Sequence, residues 1–388
     1  MNRAIKIILA PCSFKGSLSA SEVCKHLENG INKALPTKSF EIIKIPLADG
    51  GEGLVECLLT STSGKLVNLK AKDPLYREIE TFYGVTPDKV AIIEMASASG
   101  LPLLQKSERN PLITTTFGTG ELIKHALDSG CRKFIIGLGG SATVDCGHGM
   151  AKALGVKFLD NEGKEIHELG GGCLNKIQSI DLTNFDSRIK ECEFTAACDV
   201  TNPLCGKTGA SYVFGPQKGA TPEMVETLDN NLLHFGELLE KVFNKEIVNK
   251  VGSGAAGGMG AVLFSFLNAE FKKGIDIVKE ASKFDEHAKG ADLIITGEGG
   301  LDSQTLGGKA LSGMLESAIR LRAPIVAIAG KLDDDEDIFY NAGFKSVFSI
   351  VNRPMTEEEA MKNAGELIQK TGQRIVRLYF NVENKNEI

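Results

Sequence analysis

The apolar positions fall into short continuous runs separated by amphipathic stretches, the pattern of strands buried on both faces and joined by helices. Ala4–Ala10 is the first such run, and Ser19-Ala20-Ser21-Glu22 then has capping-box spacing that predicts a helix towards Ala34. Glu41–Ile45 predicts a second strand and Gly53–Thr60 a short helix. Lys65–Lys70, Glu78–Tyr83 and Val90–Glu94 follow with no helical period between them, which predicts an antiparallel or mixed sheet. The alternation resumes at Gly118, with a helix to Ser129, a strand at Lys133–Leu138 and a helix at Gly147–Leu154. Glu193–Ala197 predicts another strand. Thr221-Pro222 supplies an N-cap and a proline at the first helical position of a helix reaching Val242. Gly257–Leu267 reads as a packed helix of small residues. Leu293–Thr296, Ile325–Ala329 and Val347–Ile350 predict three buried strands separated by helices, and the capping box Thr356-x-x-Glu359 opens a last helix to Tyr379.

Both chain ends therefore read as parallel α/β, and the middle carries a different pattern. The expected fold class is α/β with two α/β domains. One is a Rossmann-like parallel-sheet domain built from residues 1–67 and 288–388; the other is an inserted α/β domain with a mixed sheet, residues 68–287. The active site is expected in the cleft between them. A length of 388 residues suits two or three domains.

Charge narrows the function. With 50 acidic against 44 basic side chains, the net charge of −6 argues against an electrostatic grip on nucleic acid. The nine cysteines include no C-x-x-C pair, so they read as reduced thiols of a cytoplasmic chain. Ala4–Ala10 is too short for a signal peptide, and no run approaches the length of a membrane span.

The 43 glycines carry more information, because they cluster after predicted strands. Ser13-Phe14-Lys15-Gly16-Ser17, Asp49-Gly50-Gly51-Glu52, Gly139-Gly140-Ser141-Ala142-Thr143-Val144-Asp145, Asp199-Val200-Thr201-Asn202-Pro203, Gly297-Glu298-Gly299-Gly300-Leu301-Asp302 and Gly330-Lys331 all take this place. In open α/β sheets, ligands bind beyond the carboxyl ends of the strands. Exposed amides in glycine-rich turns cradle phosphates, carboxylates hold Mg²⁺ or orient an attacking hydroxyl, and lysines neutralise developing charge. Lys15, Lys218, Lys309 and Lys331 stand beside these loops. Cys205-Gly206-Lys207-Thr208 fails as a P-loop, because Thr201 occupies the leading glycine position and Asn202-Pro203 interrupts the loop. Gly137-x-Gly139-x-x-Ala142 has the form of a dinucleotide fingerprint, and Gly252-x-Gly254-x-x-Gly257 repeats that form without a strand before it.

Taken in order, these segments resemble the bacterial type-I glycerate kinases over nearly the whole chain. The stretches that carry the likeness are Ala10-Pro11 with Ser13–Ala20, Ala48–Gly53, Glu94–Ala96, Thr116–Gly120, Gly139–Ala142 with Asp145, Cys198–Leu204, Gly215–Ala220, Gly254–Gly258, and Thr296–Gly299 with Asp302–Thr305. The resemblance implies ATP-dependent, Mg²⁺-assisted phosphorylation of D-glycerate at the 2-hydroxyl, giving 2-phosphoglycerate. Glycerate and a nucleotide are the implied partners, without nucleic acid or membrane, and a homo-oligomer is an allowed state.

Residue type and strand-end placement then assign roles. Asp199, Lys15 and Asp49 form the expected catalytic set, with Asp199 as base or Mg²⁺ ligand and Glu298 and Asp302 as further metal ligands. Ser13, Ser17, Gly50, Gly51, Gly139, Gly140, Ser141, Asn202, Lys218, Gly297 and Gly330 are expected to bind substrate and phosphate. Asp145 and Asp302 have an equally good reading as helix caps or turn residues. The chain departs from the family pattern at Cys12, Tyr76, Val144 and Gly300; the last stands where a basic residue is usual, and Lys309 or Lys331 are its candidate replacements. Three other readings remain: a kinase giving 3-phosphoglycerate, a sensor that binds glycerate or nucleotide without turnover, and a dehydrogenase using the Gly137 loop.

Overall fold

The structure, a computed structural model, describes residues 4–34, 40–48, 50–306, 310–333 and 335–380. Thirteen strands are named among them: β1 (Ile5–Pro11), β2 (Phe40–Lys44), β3 (Lys65–Lys72), β4 (Glu78–Val85), β5 (Val90–Glu94), β6 (Lys133–Gly137), β7 (Lys157–Leu159), β8 (Ser179–Asp181), β9 (Glu193–Ala197), β10 (Glu270–Lys272), β11 (Leu293–Leu301), β12 (Ile325–Leu332) and β13 (Ser346–Ser349). They belong to two units.

The first unit takes its described residues from 1–49, 56–62 and 275–388. Its sheet runs β13-β12-β11-β1-β2 with every neighbour parallel. Parallel strands covered on both faces need apolar side chains throughout, and Ile7, Ile8, Leu9 and Ala10 of β1 have no exposed surface. Val23, Leu27 and Ile31 of the helix Ala20–Ala34 share one core with Leu367, Ile368 and Ile375 of the helix Ala364–Tyr379. The expected single last helix is two, Glu357–Lys362 and Ala364–Tyr379. The capping box at Thr356 is present, but Asn363 Nδ2 donates to the Glu359 carbonyl at 2.7 Å and ends the first helix there.

The second unit takes its residues from 50–55 and 63–274. Its sheet runs β10-β9-β6-β5-β4-β3, parallel from β10 to β5 and antiparallel from β5 to β3. A division at 67/68 would cut β3, which pairs with β4 from Lys65↔Val85 to Lys72↔Glu78. The helices Gly274–Ala281 and Phe284–Ala288 lie beyond the division at Gly274 rather than before 288. β7, β8 and β10 escape sequence reading because three residues are too few to show a period. The helix expected at Gly257–Leu267 begins at Met259, after a chain of turns that includes Gly257 and Gly258 in the left-handed region.

One polar residue stands out in this core. His148 is fully buried, its ring tilted at 4.6 Å from Phe158 and edge-on at 6.4 Å from Phe235, and neither ring nitrogen has a hydrogen-bond partner. Burial holds its pKa down to about 3, with Lys152 adding to the effect, so the ring is neutral in the fold. An unfolded histidine titrates near ~6.5, so between these values the unfolded chain binds more protons and stability falls as pH falls. The expected loss is about 1.4 kcal/mol for each pH unit below ~6.5. His148→Phe should flatten this acid limb when the urea midpoint is followed from neutral pH downwards; an unchanged limb would show that His148 is not its source.

Candidate active site

In the order the chain forms them, the five strands of the first sheet lie 2-1-3-4-5. Winding reverses between β1 and β11, and the carboxyl ends of those strands frame the crevice where doubly wound sheets bind ligands. Past β1, Cys12 N–H donates to the Gly297 carbonyl at 2.7 Å. The chain then folds back: Phe14 and Leu18 exchange backbone bonds of 2.9 and 3.0 Å, and Ser17 N–H donates to Phe14 at 2.8 Å. Buried Phe14 anchors this turn and leaves Lys15 exposed at its tip. Ser13 is half-buried, and Ser17 Oγ donates to the Met361 carbonyl at 2.6 Å, which commits its hydroxyl hydrogen to the scaffold.

The expected loops at Gly297 and Gly330 are corrected to strand. β11 continues to Leu301, paired with β12 through Gly300↔Lys331 and Leu301↔Leu332, because the parallel ladder holds both strands extended past their apolar runs. Gly299 passes beneath the first turn, 3.4 Å from Lys15 N at the place a Cβ would occupy. Glu298 is half-buried. Asp302 Oδ1 accepts from Thr305 N–H at 2.9 Å and Thr305 Oγ1 at 3.1 Å, so it caps the turn that follows. A side chain at Gly300 would enter open space, and Lys331 stands in register beside it, 72% exposed and paired with Asp333 at 2.5 Å. Asp49 and Lys309 lie outside the described residues.

In the second unit, the loop after β6 is clamped between two neighbours. Gly139 N–H donates to the Gly50 carbonyl at 3.4 Å, and a Cβ at Gly139 would lie 2.5 Å from Gly51 Cα. Only glycine permits that approach. On the other side, Leu101 N–H donates to Gly140 and Ala142 N–H to Ser99, each at 2.9 Å. Glu94 Oε1, at the end of β5, accepts from Val55 N–H at 2.8 Å. Asp199 is exposed beyond β9 with Oδ1 accepting from Gly274 N–H at 3.1 Å, and Asn202 Nδ2 staples its own loop to the Thr208 carbonyl at 2.7 Å. Gly257 explains the second glycine motif: at φ 70° a Cβ there would stand 1.9 Å from the Thr143 carbonyl, so this segment packs against the β6 loop. No helix opens directly after Gly137–Ala142, as a dinucleotide fingerprint requires, since the next begins at His148. Lys207 rests 4.1 Å over the Tyr212 ring.

The β6 loop ends on a buried carboxylate. Asp145 Oδ2 accepts from Thr116 N–H and Thr116 Oγ1, both at 2.8 Å, and from Gly149 N–H at 3.2 Å, while Oδ1 accepts from Gly147 N–H at 3.2 Å. It thereby caps the helix His148–Ala153 through Gly149 N–H and ties it to Thr116, the residue that opens the helix Phe117–Asp128. Burial raises its pKa, and the bonds from Thr116, Gly149 and Gly147 oppose that rise. Lys218, expected to meet phosphate, is buried instead. Its Nζ donates to Ser141 Oγ at 2.7 Å and to the Thr143 carbonyl at 2.8 Å. Burial holds its pKa down to about 7 against the raising effect of Asp145. Thr116 and Glu94 stand in motif stretches named from the sequence but carried no expected role there, although a threonine immediately before the Phe117 helix is an N-cap signal.

Among the described residues, no three His, Cys, Asp or Glu side chains converge on a cation site. Mg²⁺ bound through one or two carboxylates, phosphate oxygens and water needs no such cage, and Asp199 and Glu298 are hard oxygen donors of that kind. Among the described residues, no helix is long and apolar enough to cross a membrane.

A doubly wound sheet with a switch point, a second parallel-edged sheet with a glycine-tight loop, and oxygen donors at the strand ends make an α/β enzyme suited to phosphoryl transfer. The chain belongs to the glycerate kinase family, whose model matches residues 7–380. It is 47% identical over 383 residues to a glycerate kinase of Bacillus cereus, covering 98% of this chain and 100% of the relative. It is 45% identical over 372 residues to the glycerate 2-kinase of Escherichia coli K12, covering 96% and 97%. A crystal structure from Salmonella typhimurium LT2, provisionally assigned as glycerate kinase 2, matches with a TM-score of 0.88 at 44% identity, covering 98% of this chain and 99% of that one.

Removing the Asp145 carboxylate strands several buried donors at once. Asp145→Ala is expected to cost on the order of 3–5 kcal/mol, read as a lowered denaturant midpoint. A change below about 1 kcal/mol would show that these bonds do not hold the loop.

Proposed function

We propose that this chain transfers the γ-phosphate of ATP to the 2-hydroxyl of D-glycerate, giving ADP and 2-phosphoglycerate. The glycerate oxygen forms the new bond to phosphorus as the bond to the β-phosphate oxygen breaks, and the hydroxyl proton leaves to a base. The observation that carries this reading is the Ser13–Ser17 turn folded over the Gly297–Leu301 strand at the β1/β11 switch point, within a chain of the glycerate kinase family. Family membership supports ATP as donor. The name of the Escherichia coli relative favours the 2-hydroxyl.

Asp199 is the proposed base: its carboxylate is exposed beyond β9, and Gly274 N–H donates to its Oδ1. Lys15, exposed at the tip of its turn, is assigned to phosphate, as are the backbone groups of Gly50, Gly51, Gly139 and Gly140. Asp49 is a further carboxylate of this set. Mg²⁺ would be held by Glu298 and Asp302, directly or through water, and would supply charge neutralisation on the phosphates. Ser13 and Asn202 complete the proposed contacts. Ser17, Gly297 and Gly330 support the turn and strands rather than meeting ligand through free side-chain donors.

Lys331 supplies the cation missing at Gly300, because it occupies the adjacent position of the next strand. Losing a charge-assisted bond costs ~1.5–3 kcal/mol, so Lys331→Met should raise KM for ATP or glycerate roughly ten- to a hundredfold. Adding Gly300→Lys in that background should recover most of the loss. Unchanged KM values in Lys331→Met would remove this role.

Release of ADP from Mg-ATP with D-glycerate, followed by a coupled assay, tests the activity. Turnover that falls about a hundredfold or more in Asp199→Asn is expected for a general base. Full activity in that variant would reassign the base and leave the reaction standing; no ADP above background in the native protein would end the reading.

A further inference from the structure

Lys218 is a poor phosphate clamp and a good lever. Its ammonium has no exposed path to ligand, yet one of its two acceptors is Ser141 Oγ, on a loop the proposed function places against substrate. Ser141 is 7% exposed, with no other hydrogen bond to its hydroxyl among the described residues. A hydroxyl oxygen that accepts from a cation becomes a stronger donor through its own hydrogen, because chained hydrogen bonds polarise one another.

We propose that Lys218 is a buried positioning residue that turns Ser141 Oγ–H into a stronger donor for an anionic oxygen of the substrate, and that deprotonating Lys218 weakens this grip. The anion is the carboxylate of glycerate or a phosphate of ATP. The inference rests on the kinase reading for the identity of these ligands. It also needs the ammonium to exist in the fold. The thiols of Cys146 and Cys173 near Asp145 are held protonated by burial, and His148 is neutral, so Asp145 is the charge that sustains Lys218. Arg109 packs its backbone and Cβ against Gly219, the residue after Lys218. With the Lys218 pKa held to about 7, the relay is intact below that pH and fades above it.

Calorimetric titration of the full chain with D-glycerate and, separately, with ATP at pH 6.5 and 8.5 tests the relay without requiring turnover. One ligand should bind roughly tenfold more weakly at the higher pH, and which of the two does so identifies the anion. In Lys218→Met, and equally in Ser141→Ala, that ligand should bind weakly at both pH values, while Ser141→Thr keeps the hydroxyl and the pH step. The variants also remove the γ-phosphate's own titration from the comparison. In kinetics, KM should move with pH more than kcat. If Lys218→Met does not fold, Ser141→Ala decides alone. Native affinities that do not change with pH, a pH step that persists in Ser141→Ala, or a native protein that binds neither ligand would each overturn the relay. Binding with the pH step but without phosphoryl transfer would leave the relay standing and end the kinase reading.

Discussion

The second unit depends on a carboxylate that never meets water. Asp145 draws together Thr116, Gly147 and Gly149, and so ties the starts of two helices to the end of one glycine loop. Placing an anion there is costly, and only a full set of donors makes it tolerable. Those donors are backbone amides and the hydroxyls of Thr115 and Thr116. The same charge raises the pKa of Lys218, whose ammonium reaches back to Ser141 and Thr143 in the same loop. The loop is therefore held from beneath by charge and from the sides by close glycine contacts. A rigid loop suits the phosphate or carboxylate contact proposed for it, since misplacing a donor by about 1 Å is costly to catalysis.

The first unit reaches a comparable rigidity by other means. Its loops are short because β11 and β12 extend through their glycines, and the Phe14 turn lies on that extended surface. Backbone pairing does there what buried charge does in the second unit. This difference bears on the family departure at Gly300: in an extended ladder, the residue in register on the next strand is Lys331, the substitute proposed above.

Much of this was legible in the sequence. Continuous apolar runs such as Ile7–Ala10 mark parallel strands with little ambiguity, and the three strands near β4 marked the mixed sheet correctly. The order of glycine and aspartate motifs named the family. What the sequence could not show was where a ladder stops, so Gly297 and Gly330 were expected in loops, although pairing with a neighbour keeps them in strands. Nor does a lysine after Gly215-Pro216-Gln217 announce that it points inward; the acceptors that bury Lys218 lie more than seventy residues earlier. Long-range polar contacts of this kind leave no period in the chain.

If this chain places the γ-phosphate of ATP on the 2-hydroxyl of glycerate, the new ester carries one hydrogen on its esterified carbon. Proton-coupled ³¹P NMR of the protein with Mg-ATP and D-glycerate counts that hydrogen in the splitting of the product signal. The expected result is loss of the γ-phosphate signal and a phosphomonoester doublet from the single hydrogen at C2. A triplet from the two hydrogens at C3 would contradict the position of transfer, and the absence of any phosphomonoester would contradict the transfer itself.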